Sequence, residues 1–133
     1  DTNHVSKILE GDEVLHQRLV IAQRRGGDLG ISTTILGELY FAAYASERQV
    51  QNLRRIEQLI AQVQVWEFDA DAAREFGVIR AEQRRKGKPI PPMDAQIAAV
   101  ARKHGLTVVT ADQHLKFVEN LAVENWLEPI RPS

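Results

Sequence analysis

The sequence has no cysteine among its 133 residues. That removes disulfides and thiolate metal sites from consideration and suits a cytoplasmic protein. No run approaches the ~18 uninterrupted apolar residues of a membrane span, and no signal peptide is visible. There is no internal repeat, low-complexity tract or linker, and no initiator methionine, since the first residue is Asp1. Histidine is present but scattered. His4, His16, His104 and His114 show no paired spacing of the kind that binds zinc, so all four read as surface or packing residues. His114 alone lies close enough to Asp112 to support it from behind. Excess charge is lacking too, since the net charge is −1.

What is present suits one domain covering residues 1–133. With 44% apolar residues, a chain of this length buries roughly two-thirds of its unfolded surface, enough for a core without staples. Charge is unevenly placed. Between Arg74 and Lys103, the bases Arg74, Arg80, Arg84, Arg85, Lys86, Lys88, Arg102 and Lys103 outnumber Glu75, Glu82 and Asp94. Such a cluster is either a phosphate-binding surface or a solvated helix face.

Short strands alternate with helices. Asn3 would cap a helix over His4–Glu10, with Val5, Ile8 and Leu9 as its stripe, and Asp12 a second through about Arg25, with Val14, Leu15, Leu19 and Ala22 inward. Gly26-Gly27 stops it. Asp28–Ser32 is a strand candidate, followed by helices at about Ile35–Ser46 and Arg48–Gln62. The second of these turns Val50, Leu53, Ile56, Leu59 and Ile60 inward. Val63–Phe68 reads as a strand, and Asp69 opens a long helix to about Lys86 with Ala72, Phe76, Ile79 and Gln83 inside. After the loop Gly87–Pro92 comes a helix to His104, which Gly105 closes. Then come a strand at Leu106–Thr110, a short helix at Gln113–Phe117 and a last strand at Leu121–Val123. Pro129 and Pro132 follow. The alternation predicts an α/β domain with a mainly parallel sheet and helices on both faces. Asp1 followed by a capped helix has the form of a strand-to-helix turn, so a strand is expected upstream of Asp1.

Four acids stand out. Glu38 is the only charge in Ile35–Ala45, a stretch apolar nearly all round and hence expected to be largely buried. A buried lone carboxylate must be paired, protonated or bound to metal, unless it sits at the stripe's edge and reaches water. Asp94 falls in the first turn of its helix, where acids commonly complement the helix dipole. Asp112 resembles a turn or cap residue, and Asp1 alone would mean nothing. Asp12, Asp28, Asp69 and Asp71 read as caps and turns. What distinguishes the four is convergence. In a parallel sheet, strand ends before Asp1 and Asp112 and the helix starts near Asp94 and Glu38 share one edge, where ligands gather. Like charges there repel, and a hard divalent cation such as Mg²⁺ removes the conflict.

Asp1-Thr2-Asn3, Glu38 within Ile31–Leu39, Pro92-Met93-Asp94-Ala95-Gln96-Ile97-Ala98-Ala99 and Leu106–Asp112 together resemble the PIN domain, most closely the VapC-type ribonuclease toxins of type II toxin–antitoxin pairs. The ending Leu121–Trp126 is similar as well. The resemblance implies a three-layer α/β/α sandwich with a mainly parallel sheet, and a cytoplasmic endoribonuclease dependent on Mg²⁺ or Mn²⁺. Asp1, Glu38, Asp94 and Asp112 match its acidic quartet, and Thr2, Asn3 and Thr110 match residues lining the site. On this reading Asp1, Asp94 and Asp112 hold metal, while Glu38 orients or deprotonates a water. The basic helix end Arg84-Arg85-Lys86-Gly87-Lys88 tracks the backbone of an RNA, a tRNA or mRNA. A cognate antitoxin, whose C-terminal segment covers the acidic groove, and a homodimer are implied as partners. The strand this family carries before its first Asp is absent from the sequence, and truncation or proteolysis ahead of Asp1 is expected. Two rivals remain: a metal-dependent phosphatase or phosphotransferase with Asp1 as nucleophile, and a non-catalytic RNA-binding module.

Overall fold

The computed structural model describes residues 1–25 and 30–127. The chain opens with two helices, α1 (Thr2–Leu9) and α2 (Glu13–Arg24), and then enters strand β1 (Gly30–Ser32). Ser32 ends that strand and caps the next helix, its hydroxyl accepting the Ile35 N–H at 3.3 Å. Helices α3 (Thr33–Tyr44) and α4 (Gln49–Ile60) carry the chain to β2 (Gln64–Trp66). This returns parallel to β1, Ile31 opposite Val65, as a helical crossover permits. Gly30 lies so close to β2 that an added Cβ would stand 2.5 Å from Trp66 Nε1 and 2.8 Å from the Gln64 carbonyl oxygen.

Asp69 caps α5 (Ala70–Arg85), accepting the Ala72 N–H at 2.9 Å. Helix α6 (Pro92–His104) begins on Pro91-Pro92 and ends on Gly105 at φ 65°, the left-handed conformation glycine adopts without strain. It is the central helix, with Ala95, Ile97, Ala98, Ala99, Val100 and Ala101 all buried. Its alanines admit α5 closely. Arg102, 11% exposed, is clasped by Glu75 and Glu82 of α5 and also donates to the Glu119 carbonyl. Strand β3 (Thr107–Val109), a 3-10 helix (Gln113–Phe117) and β4 (Ala122–Glu124) complete the described chain. β3 and β4 are parallel, Val108 opposite Val123.

Several expectations need correction. The parallel sheet stands, among the described residues, as two separate two-stranded ladders rather than one continuous sheet. Helix α1 starts earlier than expected because Asp1, not Asn3, is its N-cap. Helix α3 is not buried all round: Ile35, Leu39 and Ala43 face the core, while Phe41 is 72% and Tyr44 61% exposed. Val14 and Val50, expected inward, are also exposed, whereas Leu15 and Ile56 hold the inner positions. On α5 the expected inner face is observed, with Ala72, Ile79 and Gln83 fully buried. Gly26-Gly27, Asp28, Pro129 and Pro132 lie outside the described residues.

Candidate active site

At the C-terminal end of β3, Asp1 and Asp112 are linked through Thr110, with Asp94 near Asp112. Thr110, 2% exposed, follows that strand directly, its backbone N–H donating to the Glu124 carbonyl at 2.8 Å. Its hydroxyl works in both directions. It donates to Asp1 Oδ2 at 2.6 Å and accepts the Asp112 N–H at 3.0 Å. One buried hydroxyl therefore couples two carboxylate-bearing residues 111 positions apart in the sequence.

Asp1 is held from the other side as well. Its Oδ1 accepts both the His4 backbone N–H and the His4 ring at 2.9 Å, while its own nitrogen donates to the Val109 carbonyl. His4 is almost wholly buried, and its Nε2 accepts the Trp126 N–H at 3.2 Å. That acceptor role fixes the tautomer with the proton on Nδ1, facing Asp1. Burial lowers the His4 pKa to about 4, so the ring stays neutral near pH 7.

Asp112 caps the 3-10 helix, its Oδ1 accepting the His114 N–H at 2.8 Å and meeting the ring Nδ1 at 2.7 Å. It also stands within interaction range of Asp94, in the first turn of α6. The two acids are pushed apart in basicity. Burial first, then the Asp112 charge and hydrogen bond, raise the Asp94 pKa. Burial works to raise that of Asp112 too, but the His114 N–H, its ring and its charge outweigh this and leave it lowered.

Glu38 comes near by a different route. Thr34, one turn earlier on α3 and on the same face, donates from its hydroxyl to Gln96 Oε1 of α6 at 2.9 Å. Glu38 thus lies on the side of α3 turned to α6, half-buried, its side chain without a hydrogen-bond or ion-pair partner among the described residues. The side chains of Thr2 and Asn3 lie outside what the structure describes.

The basic cluster is partly spoken for. Arg102 is engaged within the fold, Lys103 pairs with Asp69 and Asp71, and Lys86 with Glu119 at 2.8 Å. Arg84 and Arg85, in the last turn of α5, are exposed.

Two neighbouring carboxylates favour a shared proton or a cation between them, and these donors are all hard oxygen. That suits Mg²⁺, which one or two carboxylates hold while it keeps most of its waters. Among the described residues no group of three or more His, Asp or Glu side chains stands close enough to hold an ion. Asp94 and Asp112 form the pair, and Asp1 waits one hydroxyl away.

Sequence reasoning overlooked His4, though Asp1 and His4 at i,i+3 across a helix start were a readable signal. It also overlooked Gln96 and Thr34, whose pairing depends on how α3 meets α6.

Comparison with known proteins agrees with this arrangement. The PIN domain family matches residues 1–121. The tRNA(fMet)-specific endonuclease VapC of Shigella flexneri is 39% identical over 101 residues, covering 75% of this chain and 76% of that protein. Among solved structures, the DNA-bound VapBC of Salmonella typhimurium superposes with a TM-score of 0.84 at 33% identity, covering 95% of each chain. VapBC-5 of Mycobacterium tuberculosis, from the VapBC family of toxin–antitoxin systems, gives 0.59 at 28% identity, covering 71% of this chain and 77% of that one. The acidic edge at β3, the parallel ladders and these likenesses have one explanation: the chain belongs to the PIN domain family, on its VapC branch.

Proposed function

We propose that this protein is a divalent-metal-dependent endoribonuclease, the toxin of a toxin–antitoxin pair, acting in the cytoplasm as a single domain. The observation that carries the reading is the Thr110 hydroxyl joining Asp1 to Asp112, with Asp94 near enough to Asp112 for their charges to interact. Asp94 and Asp112 would hold Mg²⁺ or Mn²⁺, with Asp1 as the third carboxylate. Such an ion, when bound, lowers the pKa of water and neutralises charge on the scissile phosphate.

The chain's own residues do the rest. Thr110 and His4 fix the Asp1 carboxylate, each donating to a different oxygen. His114 keeps Asp112 ionised. Glu38, unpaired among the described residues and close to α6, orients or deprotonates the attacking water. Exposed Arg84 and Arg85 meet the RNA backbone, which positions a strand without reading its sequence.

The M. tuberculosis relative belongs to a toxin–antitoxin system. We take an antitoxin as this chain's partner too, its apolar segment meeting the exposed Phe41, Tyr44 and Val50. A homodimer of the toxin is part of the same reading.

The test is cleavage of RNA by the purified protein. EDTA should abolish it, added Mg²⁺ or Mn²⁺ should restore it, and Asp94→Asn should lower the rate by about a hundredfold or more, as loss of a charge-stabilising group does. Cleavage by the Asp94→Asn protein at the parent's rate would overturn the assignment.

A further inference from the structure

One exposed aromatic beside the acidic edge has no role in the fold's core. Phe117 ends the 3-10 helix and keeps 49% of its surface open. The ammonium of Lys88 stands over its ring, 3.8 Å from the centroid. Lys88 is held there from beneath. Its N–H donates to the Gln83 carbonyl at 2.9 Å, and the fully buried Gln83 side chain donates from Nε2 to the Lys88 carbonyl at 3.1 Å. A buried amide thus fixes the loop that delivers a cation to an exposed ring.

The ring's direction follows from helix geometry. Residues three apart in a 3-10 helix eclipse one another, separated by about 6 Å along the axis. Phe117 therefore shares a side with His114, whose ring touches Asp112, which in turn stands near Asp94. Exposed Lys116 lies on the same short helix, and Arg84 and Arg85 lie just before the Lys88 loop. Cations around a flat apolar face are complementary to a nucleotide, with its π-face and its phosphate.

We propose that Phe117 and Lys88 form a nucleobase-stacking subsite for the RNA substrate, next to the scissile phosphate: the ring stacks a flanking base, and the ammonium meets the adjoining phosphate. This rests on the ribonuclease reading above. Stacking accepts every base, so the subsite sets where the strand lies and leaves sequence choice to other contacts.

The experiment scans one abasic position at a time across a short single-stranded RNA that the wild-type protein cleaves. For the wild type, one position flanking the cut should raise KM by about tenfold, with kcat little changed. Phe117→Ala and Phe117→Leu should show that loss on intact RNA and no further loss at the abasic position. Phe117→Trp should retain the wild-type pattern. Thermal melts verify that each variant is folded, and the leucine variant separates loss of the ring from loss of apolar bulk. An abasic penalty that persists undiminished in Phe117→Leu, or an unchanged KM on intact RNA, would show that the ring only supports Lys88 and would overturn the proposal. A wild-type protein that cuts no RNA would overturn the ribonuclease reading and this one with it. Cleavage with a persistent penalty overturns only this one.

Discussion

Replacing Asp94 by asparagine should raise the melting temperature of the metal-free protein near neutral pH, although on the proposed reading the same change lowers the cleavage rate by about a hundredfold or more. Asp94 and Asp112 are close enough for their charges to interact, and two unit charges about 4 Å apart at an effective dielectric of about 20 repel by roughly 4 kcal/mol. Asp94 is only partly buried, and solvent screening reduces this to about 1 kcal/mol. For a chain of this size that is a rise of roughly 3 to 6 °C. An asparagine amide also donates to Asp112, as the protonated acid does. The pH dependence has a definite sign. Because the folded-state pKa of Asp94 is raised, wild type is relatively most stable below the unfolded carboxylate pKa of about 3.9 and loses that advantage as pH rises through the raised value. The gap between variant and wild type should therefore be small near pH 4 and widen upward. Metal should reverse the order, since an ion at about a hundred times its Kd stabilises wild type by about 2.7 kcal/mol and has lost a ligand in the variant. Scanning calorimetry with EDTA, then with Mg²⁺ or Mn²⁺, measures all three. A variant that melts below wild type without metal, a gap indifferent to pH, or equal stabilisation of both proteins by metal would refute the reasoning.

Thr110→Val should destabilise by about 1 to 3 kcal/mol, because it strands the Asp112 N–H and removes a donor from Asp1. Thr110→Ser should restore most of the loss in a denaturant titration. His4, neutral in the fold with a pKa of about 4 against 6.5 when free, contributes stability that is complete above about pH 6.5 and is lost as pH falls toward 4; His4→Gln should flatten the melting profile across that window. Arg102→Ala should cost about 2 to 3 kcal/mol, since it leaves Glu75 and Glu82 facing each other without their cation. Lys103→Ala, at the surface, should change the melting temperature little.

The local chemistry of the chain was legible where one residue type has one use. Asp69 as a cap, Gly105 as a stop and Pro91-Pro92 as a helix entrance are observed as the sequence implies. The inner face of α5 was legible too, because its period persists over 16 residues. Glu38 shows where such reading ends. Its neighbours are apolar, and apolar neighbours argue for burial, yet Phe41 and Tyr44 face outward. An apolar helix side covered by a partner and one covered by the protein's own core look identical in sequence. That Asp1, Asp94 and Asp112 would come near one another was legible from how one edge of a parallel fold collects strand ends and helix starts, although no three acids among the described residues stand close enough to hold an ion. What tied them together was not, since the Thr110 hydroxyl and the His4 ring act through contacts spanning nearly the whole chain. Sheet continuity was illegible for a simpler reason: three-residue strands carry too little pattern to reveal which neighbour they join.

The imidazole of His4 has a mechanical consequence. It is wired at both nitrogens, to Asp1 on one side and to the Trp126 backbone on the other. A rigid ring in that position behaves as a crank. Any ligand or fused sequence that displaces the main chain at Trp126 would swivel the Asp1 carboxylate without touching it.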